Sequence, residues 1–488
     1  MIAVTTFAGK TVAVLGMARS GLAAAKALVA GGADVACWDD GAKGRAAAEA
    51  AGLPLLDLRR LADWSKFAAL VLSPGVPLTN PTPLPVLVVS AREAKLPIIG
   101  DTELFFRELA AQPETTRPKV VAITGTNGKS TTTALTAHLL RHAGKRVAMG
   151  GNIGEAVLGL ASFAETDVYV LELSSYQIDL TPTLNPDVGM LLNLTPDHLD
   201  RHGTMEHYAE VKERLVAGAK FAVVGVDDPW SRAIALRRLN AQGRIAAIHV
   251  AADVTRPLDA VTEADLEPFR KATCLQLATS RDAATLRGPH NAQNAAMALN
   301  AAIAIASAHS ARTTGDVRSR LQAIDDANFA IITGLASFPG LAHRMELVGS
   351  VGGTSFVNDS KATNADAAAK ALASCGQAIH WIAGGQAKDG GIESLAPFFA
   401  NVRRAYLIGA ASNVFAATLQ KTGVEYVQCG TLANAVTAAA AAQTGTVLLS
   451  PACASFDQFK DFEDRGDQFR RLVEALPGFL RYGAKGGA

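Results

Sequence analysis

An apolar run that passes into a turn of glycine, lysine and hydroxyl residues constrains this chain more than any other feature. Val120–Thr124 is followed by a glycine-rich turn and then by a helical pattern of apolar residues. Glycines let several backbone N–H groups point at one anion, and the N-terminus of the next helix adds partial positive charge. We therefore expect a buried strand, a phosphate loop and a helix. The candidate ATP-binding residues of the loop are Gly125, Thr126, Asn127, Gly128, Lys129, Ser130 and Thr131.

The side chains of this loop suit a nucleotide with its magnesium ion. Lys129 would reach the outer phosphates, and Ser130 or Thr131 would place a hydroxyl on Mg²⁺. Gly125 and Gly128 are closer together than in the usual G-x-x-x-x-G-K-[ST] loop, so the sequence predicts a variant of it. The alternative is a glycine turn that is capped by Ser130 and carries a surface lysine.

The length of 488 residues favours about three domains. We predict an α/β protein with a Rossmann-like N-terminal domain at 1–112, a central P-loop ATPase-like α/β domain at 113–337 and a C-terminal Rossmann-like α/β domain at 338–488. The proline-bearing segment 110–118 and the segment 334–340 are the predicted linkers. The irregular, charged segment 250–285 is interpreted as an elaboration of the central domain and carries no recognisable motif.

Composition and charge favour a cytoplasmic enzyme. Lys and Arg (46) nearly balance Asp and Glu (45), so no global field attracts nucleic acid or an anionic membrane. The five cysteines never form a C-x-x-C pair, which argues against a disulfide framework and for a reducing compartment. The N-terminus lacks the charged region and cleavage site of a signal peptide, and no apolar stretch approaches the ~20 residues of a membrane span. We expect a monomer that binds no nucleic acid.

The first domain begins like a nucleotide-binding βαβ unit. A short strand at 11–15 is followed by a glycine turn, and a second strand ends at Asp39 and Asp40. A carboxylate about 20 residues beyond the first glycine is typical of ribose binding. Ala18 replaces the second glycine, so the fingerprint is weak evidence for NAD. The unit would bind a uridine or adenine diphosphate, or nothing. The turn Ser73–Pro77 follows another strand and should lie at the same edge.

Polar residues also follow the predicted strands of the central domain. Glu172 ends one strand, where it would hold Mg²⁺ on a nucleotide or be a surface glutamate. The cluster 193–202 suits zinc or iron, or Mg²⁺ with a single imidazole. Lys212, judged from its helix alone, is expected to be solvated. Asn291 and Asn294 share a helix face and would contact a base or phosphate, or cap the helix.

The third domain repeats the pattern of strands with polar ends. Strands are predicted near 355–358, 379–383, 404–408 and 446–450, in a parallel sheet. Polar clusters at 358–364, 384–388 and 450–459 follow three of these strands. Because parallel strands end at one edge of a sheet, the clusters should form one site.

Together these segments resemble the Mur ligases over nearly the whole chain. The resemblance rests on Gly125–Thr131, Glu172–Ser175, Asp197–Arg201, His290–Asn294, His343–Arg344 and Asp359–Asn364. It implies an ATP-dependent amide ligase that uses ATP and two Mg²⁺ ions and passes through an acyl phosphate. The segments 359–364 and 450–459 are most similar to the member that joins UDP-N-acetylmuramoyl-L-alanine and D-glutamate in the cytoplasmic stage of peptidoglycan synthesis.

The resemblance also implies a role for individual residues. The catalytic residues would be Lys129, Glu172, His198 and Lys212. The metal ligands would be Ser130, Glu172, His198 and Lys212, the lysine being carbamylated in the family and so an anionic oxygen ligand. Asn291, Asn294, Arg344 and Asp359 would clamp ATP. The UDP substrate would be bound by Ser20, Asp39, Asp40, Ser73, Asn152 and His198. The D-glutamate pocket would comprise Lys361, Thr363, Lys388, Ser455 and Phe462. A hinge near 334–340 would let the domains close.

Three other functions remain open. A sister amide ligase for another amino acid would differ only in its third-domain pocket. A nucleotide-driven switch protein that hydrolyses ATP would leave Lys361, Lys388 and Ser455 without a task. A dinucleotide oxidoreductase would leave the phosphate loop unexplained.

Overall fold

The computed structural model describes residues 1–61, 63–249, 286, 289–310, 317–387, 391–442 and 444–481. Lys388 and the segment 250–285 lie outside the described residues. The described residues fall into two compact units. The first lies within Met1–Ala283 and Pro289–Phe338, and the second within Ala284–Gly288 and Pro339–Ala488.

The first unit contains an N-terminal parallel sheet of four strands, in the order β2-β1-β3-β4. Its strands are β1 Thr11–Leu15, β2 Asp34–Trp38, β3 Phe67–Leu72 and β4 Ile98–Ile99. Its helices are α1 Arg19–Ala30, α2 Ala42–Ala50, α3 Val86–Glu93 and α4 Asp101–Ala111. Four consecutive residues of β1, Val12–Leu15, are buried, as expected when helices cover both faces of a parallel sheet.

The same unit contains a six-stranded parallel sheet, in the order β10-β9-β8-β5-β7-β6. Its strands are β5 Lys119–Thr124, β6 Val147–Gly151, β7 Val168–Glu172, β8 Val188–Leu191, β9 Phe221–Gly225 and β10 Ile245–Ile248. Its helices are α5 Lys129–His142, α6 Ser175–Asp179, α7 Leu199–His202, α8 Met205–Ala217, α9 Pro229–Asn240, α10 Pro289–Ser310 and α11 Val317–Gly334. The phosphate loop therefore follows a central strand.

Helix α4 joins the two sheets of the first unit. The Phe105 ring meets the Tyr169 ring edge-on, with centroids 5.1 Å apart. Glu108 accepts a hydrogen bond from Thr5 Oγ1 at 2.9 Å, and Glu103 accepts one from Thr183 Oγ1 at 2.9 Å. Both carboxylates are buried. The predicted bound near residue 112 thus separates two sheets that share one compact unit, and the domain bounds remain a prediction.

The second unit contains a seven-stranded sheet, in the order β15-β14-β13-β16-β12-β11-β17. Its strands are β11 Glu346–Val351, β12 Thr354–Asn358, β13 Ile379–Gly384, β14 Val402–Ile408, β15 Tyr426–Gly430, β16 Thr446–Leu449 and β17 Leu480–Arg481. Its helices are α12 Ala365–Ser374, α13 Ser412–Thr422, α14 Leu432–Ala440 and α15 Phe462–Glu474.

The prediction of a parallel sheet is wrong at one edge of this unit. β11 runs antiparallel to both β12 and β17, so the sheet is mixed. The reason is local, because Gly352 and Gly353 have positive φ and close a two-residue hairpin between β11 and β12.

Within the described ranges, no helix combines the length and the apolar character that a membrane span requires.

Candidate active site

The phosphate loop connects β5 to α5 through two glycines in unusual backbone conformations. Gly125 has φ +149°, and Gly128, which precedes the first residue of α5, is left-handed at φ +84°. A Cβ on Gly128 would lie 2.5 Å from Asn294 Oδ1, so only glycine fits there. The Asn193 side chain accepts a hydrogen bond from the Asn127 backbone N–H at 2.9 Å and donates one to its carbonyl at 3.2 Å. Asn193 therefore shapes the loop.

The loop leads into α5 with a lysine and two hydroxyl residues, Lys129, Ser130 and Thr131. Lys129 Nζ donates to the carbonyls of Gly125 at 2.9 Å and Thr126 at 2.8 Å. The ammonium thus lies over the loop, within reach of an anion bound there. Ser130 is buried at the start of α5 and Thr131 is half-buried. This arrangement supports a phosphate loop rather than a glycine turn with a surface lysine.

Glu172 lies beside the strand that feeds the loop. It is the last residue of β7 and pairs in register with Ile123 of β5. Its side chain is 2% exposed, and Oε1 accepts from Asn152 Nδ2 at 2.9 Å. The other oxygen, Oε2, is buried and has no hydrogen-bond partner within the described ranges. A buried carboxylate oxygen without a partner is costly, so the site fits a bound cation.

Lys212 lies under the phosphate loop, so the expectation of a solvated helix lysine is wrong. Its residue is 2% exposed, and Nζ donates to Thr124 Oγ1 and to the Gly125 carbonyl, both at 3.0 Å. Burial, followed by the charge of Lys129, holds the pKa of Lys212 well below its ordinary value of 10.5. Helix α8 presents this side chain to the sheet on the same face as buried Tyr208 and Leu215, so helical spacing did carry a signal for its burial.

Two histidines flank the short helix α7. His198, which precedes the helix, is left-handed at φ +55° and about half exposed, and its ring lies 5.1 Å from that of Tyr176. His202 belongs to the predicted polar cluster 193–202 but was given no individual role. It is buried, and its Nε2 shares a hydrogen bond of 2.8 Å with Ser175 Oγ. Burial lowers the pKa of His202 to about 4, so the ring is neutral at pH 7.

Asn291 and Asn294 fasten α10 to the phosphate-loop helix. Asn294 Nδ2 donates to Asn291 Oδ1 at 3.0 Å, and Asn294 Oδ1 accepts from Thr132 Oγ1 at 3.1 Å. Both asparagines are buried. Asn294 therefore touches the loop itself, beside Gly128.

The edge of the first sheet is organised by Asp39. Its Oδ2 accepts from the Met17 N–H at 2.6 Å and its Oδ1 from the Gly41 N–H at 2.7 Å. Asp40 Oδ1 accepts from Trp38 Nε1 at 3.0 Å. Both carboxylates thus hold local loops at this edge. Ser20 lies in the first turn of α1 at the same edge.

Ser73 packs against the glycine turn of the first βαβ unit. A Cβ on Gly16, whose φ is +91°, would lie 2.6 Å from Ser73 Cβ. The Ser73 N–H donates to the Leu15 carbonyl at 2.9 Å. Two loops thus meet where doubly wound sheets bind ligands.

In the second unit, Asp359 is buried at the end of β12. Its Oδ2 accepts from Ser450 Oγ at 3.0 Å, and its Oδ1 accepts from the Met345 N–H at 3.2 Å. Burial raises the pKa of Asp359 to about 7, and the positive charge of Arg344 opposes that rise. Arg344 and Asp359 are therefore electrostatically coupled.

Four of the five predicted amino-acid-binding residues lie in the segments that follow β12 and β16. Lys361 Nζ lies 3.8 Å from the centroid of the Phe462 ring. The Thr363 N–H donates to the Lys361 carbonyl at 2.8 Å. Ser455 is buried in the loop after β16. The fifth predicted residue, Lys388, is outside the described residues.

Arg465 joins these loops and was missed by sequence reasoning. The residue is fully buried in α15. Its Nε donates to Ser360 Oγ at 2.9 Å, and its Nη2 donates to the carbonyls of Ser360 at 2.8 Å and Cys453 at 3.2 Å. The sequence did carry a signal for the burial of Arg465, because it lies at helical spacing from the apolar residues Phe469 and Val473, which are also buried.

The described ranges contain no group of three or more His, Cys, Asp or Glu side chains arranged to hold a metal by themselves. Magnesium in nucleotide sites is bound by one or two carboxylates together with phosphate and water. Ser130 and Glu172 suit such an ion.

Comparison with protein-family models gives two matches. Residues 123–302 match the Mur ligase middle domain, and residues 343–453 match the Mur ligase glutamate ligase domain. These ranges contain the phosphate loop, Glu172, Lys212 and three of the five predicted amino-acid-binding residues, Lys361, Thr363 and Lys388.

Two relatives match this chain over nearly its whole length. A UDP-N-acetylmuramoylalanine–D-glutamate ligase of Nitrobacter hamburgensis is 53% identical over 98% of this chain and 99% of its own. One of Rhizobium meliloti is 52% identical with the same coverage. The solved UDP-N-acetylmuramate–alanine ligase of Thermotoga maritima covers 95% of this chain and 99% of its own, with TM-score 0.55 and 16% identity, and so shares the fold. The chain belongs to the Mur ligase family.

Proposed function

We propose that this chain is an ATP-dependent ligase that adds D-glutamate to UDP-N-acetylmuramoyl-L-alanine in peptidoglycan synthesis. The proposal rests on the 53% sequence identity between this chain and ligases of that name, over 98% of the chain. It spans both the phosphate loop and the unit that carries Lys361, Ser455 and Phe462.

The reaction has two steps. The L-alanyl carboxylate attacks the γ-phosphorus of ATP, which breaks the bond to the β-phosphate oxygen and releases ADP. The amine of D-glutamate then attacks the acyl phosphate, loses a proton, and expels inorganic phosphate from a tetrahedral intermediate. Both steps build negative charge on oxygen, and Lys129 would stabilise that charge on the γ-phosphate.

Two Mg²⁺ ions would offset the charge of the phosphates and of the developing oxyanion. Ser130 and Glu172 are the residues that would hold the nucleotide ion. The buried Oε2 of Glu172, which has no hydrogen-bond partner among the described residues, supports this assignment. His198 and Lys212 are the residues that would serve the second ion. Asn291, Asn294, Arg344 and Asp359 would bind the rest of ATP.

Lys212 would act as an anionic ligand if its amine were carbamylated by CO₂. Carbamylation requires a neutral amine, and burial at 2% exposure favours the neutral form. The measurement is a ¹³C spectrum of the protein in ¹³C-bicarbonate. A carbamate signal that is present in the wild type and absent in Lys212→Arg supports the modification, and spectra without it in both proteins would refute it.

The substrates would be bound at separate sheet edges. The UDP substrate would bind in the first unit, its uridine nucleotide at Ser20, Asp39, Asp40 and Ser73 and its muramoyl end toward Asn152 and His198. Lys361, Thr363, Lys388, Ser455 and Phe462 would receive D-glutamate, whose carboxylates suit lysine donors. We place the reaction in the cytoplasm and expect a monomer.

The test is phosphate release from ATP and Mg²⁺ with UDP-N-acetylmuramoyl-L-alanine. D-glutamate, L-glutamate or no amino acid is offered in parallel. We expect release coupled to product only with D-glutamate. Equal release in all three reactions would indicate a nucleotide-driven ATPase, and product only with another amino acid would indicate a sister ligase.

A further inference from the structure

Arg201 reaches from the central sheet to a turn at the edge of the first sheet. Its Nη1 donates to the Gly75 carbonyl at 3.0 Å, and its Nη2 donates to the carbonyls of Pro74 at 3.3 Å and Val76 at 3.1 Å. Three successive carbonyls of one turn therefore accept from one guanidinium. The backbone shape of that turn depends on a side chain that is distant in sequence.

The guanidinium is itself held in place. Its central carbon lies 4.3 Å from the centroid of the Tyr176 ring. The backbone carbonyl of Arg201 accepts from Thr79 Oγ1 at 3.5 Å. A planar guanidinium can both stack on a ring and direct several N–H groups at one row of acceptors, whereas a lysine ammonium is a compact point charge.

The turn that Arg201 holds continues directly from Ser73. Ser73 packs against Gly16 of the first glycine turn, so both loops are parts of one ligand edge. Only two residues separate Arg201 from His198 in the chain. One short segment thus links the turn beside Ser73 to the histidine expected near the muramoyl end.

A second arginine crosses between the same sheets in the opposite direction. Arg19 opens α1 and donates from Nη2 to the Asn152 carbonyl at 3.1 Å and from Nη1 to the Gly154 carbonyl. Arg19 is exposed and Arg201 is half-buried. Because water competes with exposed hydrogen bonds, the Arg19 contacts should stabilise the loop that they hold less than the Arg201 contacts stabilise theirs.

We propose that Arg201 is a positioning residue for the uridine-nucleotide substrate, since it fixes the Pro74–Val76 turn beside Ser73 before the substrate binds. The inference rests on the proposed function for the identity of that substrate. A turn that is already ordered does not have to be ordered when the substrate binds, which avoids an entropy cost. Loss of Arg201 should therefore weaken the binding of this substrate.

The experiment compares Arg201→Met, Arg201→Lys and Arg19→Met with the wild type. Calorimetry gives the Kd for UDP-N-acetylmuramoyl-L-alanine and, separately, for ADP, and steady-state assays give KM and kcat. We expect Arg201→Met to raise Kd and KM for the UDP substrate at least tenfold and to leave the Kd of ADP and the KM of D-glutamate within twofold. Arg201→Lys should retain part of the affinity for the UDP substrate that Arg201→Met loses. Arg19→Met should raise the Kd for this substrate less than Arg201→Met does.

The matched control is Arg237→Met, which removes an exposed ion pair with Glu213 at 2.6 Å in the same unit. It should change none of these constants. If Arg201→Met does not fold, Arg201→Lys carries the same comparison. Unchanged affinity for the UDP substrate, or equal losses for the UDP substrate and ADP, would overturn the inference. If the wild type binds the UDP substrate but forms no product with D-glutamate, the proposed function fails, and the Kd comparison still decides the role of Arg201.

Discussion

The side chains beneath the phosphate loop are held by contacts that the local sequence does not reveal. Lys212 donates hydrogen bonds to Thr124 and to the loop carbonyl of Gly125, and Glu172 accepts one from Asn152 through Oε1. A structural carboxylate would normally have both oxygens satisfied. The other oxygen of Glu172 has no partner in the part of the chain that the structure describes, and it is therefore the feature of this region that most directly indicates a ligand.

Replacing Glu172 by Gln tests that interpretation. The amide keeps the shape and an acceptor for Asn152, but it removes the negative charge. We expect product formation to fall at least about a hundredfold, because charge at a phosphoryl-transfer site contributes on that scale. Without Mg²⁺ the melting temperature should stay the same or rise, since a buried charge is gone.

The control for this variant is Glu165→Gln, at an exposed carboxylate that bonds only within its own turn, to Ser162. It should keep full activity. A Glu172→Gln enzyme with normal activity and a lowered melting temperature would show a structural role instead.

The buried carboxyl of Asp359 makes the free energy of unfolding depend on pH. Burial raises its pKa from an ordinary 3.8 to about 7, so the folded state binds the proton more tightly than the unfolded chain. The resulting stabilisation is complete below about pH 4 and is lost as the pH rises through about 7. A shift of about three units corresponds to at most about 4 kcal/mol.

The measurement is the free energy of unfolding of the nucleotide-free protein between pH 4 and 7.5, for the wild type and Asp359→Asn. The wild type should lose stability relative to the variant across this range. Parallel curves would contradict the assigned burial of the carboxyl.

At the scale of elements, α15 connects the loops of the amino-acid pocket through Arg465. Its guanidinium satisfies Ser360 and the carbonyl of Cys453, and burial lowers its pKa to about 10. The loops after β12 and β16 therefore share one donor. Their relative position depends on how α15 packs.

Arg465→Met should destabilise the second unit by about 3–5 kcal/mol, because several buried acceptors lose their donor together. Chemical denaturation measures the loss. Arg471→Met, at an exposed position of the same helix, is the matched control and should change stability by less than about 0.5 kcal/mol. Equal effects of the two substitutions would mean that the Arg465 contacts contribute little.

The elements that the sequence predicts well are those with local signals. The glycines of the phosphate loop require particular backbone angles, and Glu172 follows from the rule that strand ends share an edge. The antiparallel β11 also had a signal, in the Gly352-Gly353 hairpin. Helical spacing places Lys212 and Arg465 on buried faces of their helices. The atoms that Lys212, Arg201 and Arg465 contact depend on how segments distant in sequence pack, and the periodicity of a single sequence does not identify them.

At the scale of the whole molecule, the first unit places two sheets around a common set of buried residues that includes Phe105 and Tyr169. Arg19 and Arg201 join segments that follow strands of those two sheets. The predicted UDP-binding residues and the phosphate loop thus belong to one compact unit, while the predicted amino-acid-binding residues belong to the other. The separation of these residues into two units suits a ligase that activates one substrate before a second substrate attacks it.

The most direct test of that account follows oxygen from the alanyl carboxylate. UDP-N-acetylmuramoyl-L-alanine labelled with ¹⁸O in this carboxylate is supplied with ATP, Mg²⁺ and D-glutamate, and the released phosphate is analysed by mass spectrometry. An acyl-phosphate ligase transfers one carboxylate oxygen to each phosphate, so we predict one ¹⁸O atom per phosphate released. Phosphate that carries no label would show that ATP is hydrolysed by water and would contradict the ligase mechanism.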